Sequence, residues 1–362
     1  MAATVEKTSE VDILDRVLAR HADLIERGWD EKLSQKEIAE ILVDLLFGVT
    51  KELPKNKLVQ VRDYDEIAAE QTGAKYKWSE KPKLVGPFKY AGQVSTMLAE
   101  GLMPEEIAKA LGDAGVQNHI GPSYLRVKGL LTHIEIREFF ARQMAFAIRD
   151  YLKECPLEKK GGAIVCIPNM TGGVFIGSET ARQLDDIHNG DEYFVWPATP
   201  YAREMRKITE VAEKDRTFAQ YVEGIAPSPE QTSALICFEE LRTAAETTAN
   251  ATNIYLGSGY TPENGVRIIE ACVFDYCHPV GIERLRRLGV DKLFLVDGKT
   301  FFEVAHEKGC ITDSQLATGL EWLSEPWAFT RKVLPTIAEI YRRDAEDKSI
   351  LASMDAQFNA PS

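Results

Sequence analysis

The chain has 362 residues, 44% of them hydrophobic and 27% charged, with 43 Lys and Arg against 56 Asp and Glu for a formal net charge of −13. That is globular composition and length enough for two domains, so disorder of the whole chain is excluded, and the acidic balance argues against a nucleic-acid partner. No apolar run reaches the ~18 residues that cross a bilayer, and the polar start MAATVEKTSEVD does not read as a secretory signal. The expectation is a cytoplasmic chain with no membrane partner. Cysteines at 155, 166, 237, 272, 277 and 310 show no paired zinc-ligand spacing. Cys166, Cys237 and Cys272 sit in apolar runs and read as small core residues of a protein in a reducing compartment. No metal-ligating residue is assigned.

The first 80 residues read as a helical extension. Apolar residues from Val11 to Arg27 fall at helical spacing. Ser34 with Glu37 forms a capping box ahead of a helix over Ile38 to Leu46, and a third helix is expected over Asp63 to Gln71. A Lys-, Pro- and aromatic-rich loop follows, then a short helix opened by Pro104. His133 to Leu152 reads as a long amphipathic helix. Beyond it, apolar runs alternate with helical ones: strands at 162–168, 193–196, 233–238, 266–277 and 292–296, and helices at 173–184, 243–251 and 281–288. Continuous apolar strands alternating with helices predict an α/β fold, a mostly parallel sheet flanked by helices. Paired helices are expected around 313–323 and 328–347. The expected division is a helical extension over 1–80, an α/β domain over 81–347, and a frayed tail over 348–362.

Ligands of such sheets bind at the carboxyl ends of strands, and two ends here stand out. In CIPNMTGGVFIGSETA a buried strand leads through Thr171, Gly172 and Gly173 into a helix whose first N–H groups suit an anion. In ALICFEELRTAAETT an apolar strand runs into Glu239 and Glu240 and then a Thr/Ala turn. Two acids at a buried strand end need a cation, a hydroxyl or a local donor to meet them. A sugar diol with Mg²⁺ satisfies both; a capped helix start is the plainer alternative.

The second segment resembles the signature of the type I phosphoribosyltransferases, an apolar strand entering an acidic pair and then a phosphate loop. Further segments resemble the orotate phosphoribosyltransferase branch in order and spacing: MTGGVFIGSETA its pyrophosphate loop, TPYAREMRK its Arg/Lys-bearing strand, and VDGKTFFEVAHEKGCITDSQLATGLEWLSEPW its C-terminal end. The resemblance covers roughly residues 85–326. It implies that Glu239 and Glu240 hold the ribose hydroxyls of phosphoribosyl pyrophosphate, and that Thr243, Ala244, Ala245, Glu246 and Thr247 form the 5-phosphate loop. Thr171, Gly172 and Gly173 would take the pyrophosphate, Arg203, Arg206 and Lys207 charge on the leaving group, and Lys89 the base. It also implies Mg²⁺ and a homodimer.

Departures from the family fall on the chemistry. Its phosphate loop has glycines where this chain has Ala244, Ala245 and Glu246. Alanine is expected to present its N–H only outside the left-handed region, and a carboxylate at Glu246 repels a phosphate. The family's Lys-x-His-Gly loop has only Lys214-Asp215-Arg216-Thr217 as a counterpart, and residues 94–119 are an insertion. Two expectations follow. One is a divergent phosphoribosyltransferase acting on a nucleobase-like acceptor. The other is a catalytically silent protein on the same fold that senses a nucleotide or sugar phosphate, or assembles with a protein partner through its helical extension.

Overall fold

The computed structural model describes residues 9–53, 58–64, 66, 122–169, 172–188, 193–196, 201–204, 220–223, 226–243, 245–326, 329 and 332. The chain divides into two compact units, one of residues 1–58 with 126–305 and the other of residues 59–125 with 306–362.

In the first unit, α1 (Glu10–Arg20) and α2 (Ala22–Asp30) replace the single helix expected over 11–27. His21 breaks the run at φ −107° and ψ 18°, and its Nε2 meets Asp44 Oδ2 at 2.8 Å. That tertiary contact competes with helical continuation. The capping box forms as expected: Ser34 accepts from the Glu37 N–H and Glu37 accepts from the Ser34 N–H, opening α3 (Gln35–Glu52). The short α4 (Val127–Leu130) precedes α5 (Ile134–Glu154), the long helix expected from His133.

The sheet contains β3 (Ala163–Pro168), β4 (Phe194–Val195), β7 (Thr232–Arg242), β8 (Arg267–Asp275) and β9 (Asp291–Asp297). All its pairings are parallel, in the order β4-β3-β7-β8-β9. Between β4 and β7 the chain makes an antiparallel hairpin of β5 (Tyr201–Glu204) and β6 (Gln220–Glu223), of which only the backbone is described. Helices α6 (Gly173–His188), α7 (Glu246–Gly257), α8 (Pro279–Arg287) and α9 (Gly298–Glu307) follow strands β3, β7, β8 and β9.

Alternation along the strands decides what each face meets. Val165, Ile167, Leu235, Cys237 and Ile268 pack with Ala251, Tyr255 and Leu285, on the face covered by α7 and α8. Pro168 and Phe238 face the other way, against Gly177 of α6, which packs in turn on α5. The three sheet cysteines are fully buried, and burial pushes the Cys166 thiol up to about 12. They are core residues, as their apolar surroundings imply.

In the second unit, β1 (Val59–Val61) pairs antiparallel with β2 (Ser123–Leu125). Helix α10 (Asp313–Ser324) begins at a Thr312–Gln315 capping box and matches the helix expected over 313–323. Its Gln315 Nε2 donates to the Val61 carbonyl at 3.0 Å. Expected helices over 63–71, 104–111 and 328–347 fall wholly or mostly outside the described residues, as does the 94–119 insertion.

Candidate functional site

The strand order places a topological switch point between β3 and β7. From β3 the chain turns outward through α6 to β4, then returns to the opposite side of β3 and continues to β8 and β9. Crevices at such points, beyond the carboxyl ends of the strands, are where open α/β sheets bind ligands. Both distinctive strand ends of the sequence lie there.

Pro168 pairs with Phe238, so Asn169 and Glu239 are the next residues on the two strands. The Asn169 N–H donates to the Phe238 carbonyl at 2.9 Å, and its own carbonyl accepts from the Gly173 N–H at 3.0 Å. Its side-chain Nδ2 donates to Glu239 Oε1 at 3.0 Å. Asn169 is 2% exposed, and its Oδ1 is buried with no hydrogen-bond partner among the described residues. Sequence reasoning passed over this residue. The signal that finds it is the β3–β7 register, which one sequence does not contain.

Successive residues of a strand point to opposite faces, and the acidic pair divides accordingly. Glu239 lies toward Asn169 and the α7 face; burial raises the Tyr255 phenol there, with smaller contributions from Cys237 and then Glu239. Glu240 lies toward the start of α6. A β-carbon at Gly172 would land on the Glu240 carboxylate, and one at Gly173 on the Phe238 carbonyl. Close approach to the backbone therefore requires Gly173, whereas a side chain at Gly172 would make the Glu240 carboxylate swing aside. Burial pushes the Glu240 carboxyl up from the ordinary range, with Lys128 pulling weakly the other way.

Strand β7 runs four residues beyond the expected strand end, to Arg242. Arg242 is almost fully buried and forks to two buried carboxylates, pairing with Glu270 and, at 2.5 Å, with Asp275. Glu270 also accepts from Thr248 Oγ1 at 2.5 Å, which ties the first turn of α7 to β8. Thr243 follows directly. Ala245, the N-cap of α7, lies in the left-handed region at φ 51° and ψ 32°. This corrects the expectation that alanine here avoids positive φ. The loop keeps the backbone conformation that glycine favours, at a cost of roughly 1–2 kcal/mol. Helix α7 starts at Glu246 rather than Thr243 and runs on to Gly257.

Gly172, Gly173, Glu239 and Glu240 are thus brought together, with Thr243 and Ala245 leading from β7 into α7. The backbones of Glu246 and Thr247 form the first turn of α7. Arg203 lies on β5; β5 runs beside β3, and β6 beside α7. Lys89, Thr171, Arg206, Lys207 and Ala244 lie outside the described residues. His278 is the buried N-cap of α8, its Nδ1 accepting from the Val280 N–H at 3.3 Å. Among the described residues no group of three or more His, Cys, Asp or Glu is placed to hold a metal ion. None of their helices is long and apolar enough to cross a membrane.

No protein-family model matches the sequence, and no curated protein matches it. Among solved structures the chain is similar to phosphoribosyltransferases. The UMP synthase of Leishmania donovani is 17% identical at a TM-score of 0.37, the match covering 61% of this chain and 42% of that one. This chain thus spans less than half the length of that protein. The orotate phosphoribosyltransferase of Francisella tularensis is 12% identical at a TM-score of 0.37, over 57% of this chain and 84% of that one. The adenine phosphoribosyltransferase of Trypanosoma brucei is 15% identical at a TM-score of 0.33, over 50% and 73%. The α/β assignment of this chain rests on its own strand order and register.

Proposed function

We propose that the chain binds phosphoribosyl pyrophosphate, or a close relative among sugar phosphates, at the switch point and transfers ribose 5-phosphate to a nucleobase-like acceptor. The observation that carries this reading is the convergence of two acids, two close-approach glycines and a left-handed N-cap between the N-termini of α6 and α7. Acids suit ribose hydroxyls, and helix N-termini suit phosphates. In this reading Glu239 and Glu240 take the diol, and the N–H groups of 243–247 take the 5-phosphate. Thr171, Gly172 and Gly173 take the pyrophosphate, Arg203, Arg206 and Lys207 offset charge on the leaving group, and Lys89 meets the acceptor.

Mg²⁺ fits the donor set as an ion held chiefly by ligand oxygens, with the hard carboxylate oxygens of Glu239 and Glu240 completing or hydrogen-bonding its shell. When bound, it would neutralise charge on a departing pyrophosphate. The protein's share is to orient the ribose and to stabilise the charge that develops on it. A homodimer, a cytoplasmic setting, a protein partner for the helical extension, and a boundary between extension and α/β domain near residue 80 belong to the same proposal.

One observation favours a second reading, a silent sensor on the same scaffold. The Glu240 carboxylate lies against Gly172, in the turn where pyrophosphate would sit, and repels an anion whenever it is ionised. Calorimetric titration of phosphoribosyl pyrophosphate with Mg²⁺ into the native chain and a Glu239→Ala, Glu240→Ala variant tests the site. Binding that the variant loses supports it, and no binding at millimolar ligand overturns it. Release of pyrophosphate on adding nucleobases separates transfer from sensing.

A further inference from the structure

Helices α1, α3 and α10 open on a Ser or Thr whose side chain accepts from a first-turn N–H. Helix α7 does not. Its N-cap is Ala245, in the left-handed region and with no side-chain capping bond. The first backbone bond of the helix runs from the Ala249 N–H to the Ala245 carbonyl at 3.0 Å. The N–H groups of Glu246, Thr247 and Thr248 precede it, without a capping side chain among the described residues. A helix start of this kind, entered through a strained residue, frays unless another contact holds it.

That contact is Thr248. It is 1% exposed, and its Oγ1 donates to Glu270 at 2.5 Å. Glu270 is fully buried in β8, beside β7, and also pairs with Arg242, the last residue of β7. One carboxylate therefore grips the chain on both sides of residues 243–247. The left-handed conformation of Ala245 lies between these two fixed ends.

We infer that Thr248 is a positioning residue: through Glu270 and Arg242 it fixes the loop of residues 243–247, so that the N–H groups at the start of α7 are set for a phosphate before one binds. This inference rests on the proposed sugar-phosphate reading and deepens it. Thr248 touches no ligand itself, since its hydroxyl is committed to Glu270. It accounts for a loop that keeps a glycine-like backbone without glycine: the conformation is imposed from the ends. Donors ordered in advance bind more tightly, because less ordering remains to be done on binding.

The test is calorimetry with ribose 5-phosphate on the full chain, beside hydrogen exchange of the ligand-free protein read at the Ala249 amide. Thr248→Val keeps the shape and removes the donor, whereas Thr248→Ser keeps the donor. Tyr151→Phe is the control. It deletes a bond from the Tyr151 hydroxyl to Asp291 at 2.6 Å, at the amino end of β9 and far along the strands from the loop. Thr248→Val should bind ~10- to ~100-fold more weakly than native. Its Ala249 amide should exchange at least ~10-fold faster. Thr248→Ser should stay within ~3-fold of native in both readings, and the control should change neither. If Thr248→Val does not fold, Thr248→Ala carries the same readings. Affinity kept without the hydroxyl overturns the inference. So does a loss that Thr248→Ser fails to prevent, or one that the control matches. If the native chain binds no ribose 5-phosphate, the proposed function falls, and exchange at Ala249 still decides whether Thr248 fixes the loop.

Discussion

Arg242 offers the sharpest test of how the site is held. Its guanidinium is 2% exposed and stands between Glu270, fully buried, and Asp275, 2% exposed. Arg242→Met keeps most of the volume and removes the charge, leaving two carboxylates in the interior. Breaking a buried ion pair by deleting one partner costs about 3–5 kcal/mol, because the remaining charge is uncompensated. Two stranded acids, one of them still accepting from Thr248, place the expected loss at the upper part of that range near neutral pH. The sign with pH follows from linkage. Without Arg242 the buried carboxyls hold protons more tightly than in the unfolded chain, so the folded state binds more protons and stability falls as pH rises above the ordinary carboxylate range of about 4. Urea unfolding of native and variant at pH 5 and pH 7.5 should show the deficit widening with pH. Adding Glu270→Gln and Asp275→Asn should recover part of the loss, since it removes the stranded charges but leaves two amides buried. A deficit under ~1 kcal/mol at pH 7.5, or one that narrows as pH rises, would refute the network as the anchor of α7.

Gly172→Ala places a methyl on the Glu240 carboxylate; the expected outcome is a folded protein that has lost sugar-phosphate binding, read by calorimetry. Ala245→Gly should lie within ~1 kcal/mol of native, as relief of left-handed strain offsets backbone entropy, whereas Ala245→Val should cost more than ~2 kcal/mol in urea unfolding. Glu240→Gln removes a carboxyl whose burial raises it. The native chain loses stability as pH climbs through that titration and the variant does not, so the variant should gain on native between pH 4 and pH 8 in thermal melts.

Much of the sheet was legible because buried parallel strands write themselves as unbroken apolar runs. The runs 162–168 and 292–296 each match an observed strand to within a residue or two at either end. The capping box at Ser34 marks a true helix start because its bonds span only three residues. What escaped was set by distant partners. His21 breaks a helix by reaching Asp44. The run after Phe238 looks like a strand exit because it turns polar, yet β7 continues to Arg242 because Glu270 and Asp275, on the neighbouring strand, receive that arginine. The acids and glycines of the site announced themselves by residue type. Asn169 did not, since its role depends on which residue of β7 stands beside it.

That register is itself fixed at the far end of the strands. Ala163 pairs with Thr232 but Ile164 pairs with Ala234, so Ser233 is an extra residue in β7. Were Ser233 paired in regular register instead of bulged, Asn169 would stand beside Phe238, with Glu239 one step out of reach and every later side chain of β7 on the opposite face relative to β3. The bulge is held by Ser233 Oγ donating to the Lys159 carbonyl at 2.7 Å, and by Gly162, where a β-carbon would strike Ser233 Oγ. Gly162 lies seven residues before Asn169, roughly 20 Å along an extended strand. Gly162→Ala should therefore destabilise the fold by about 1–3 kcal/mol through crowding. It should also weaken sugar-phosphate binding, read by calorimetry, although nothing at the site has been changed. A variant that is destabilised yet binds sugar phosphate as the native chain does would show that the strand ends hold their pairing without the bulge.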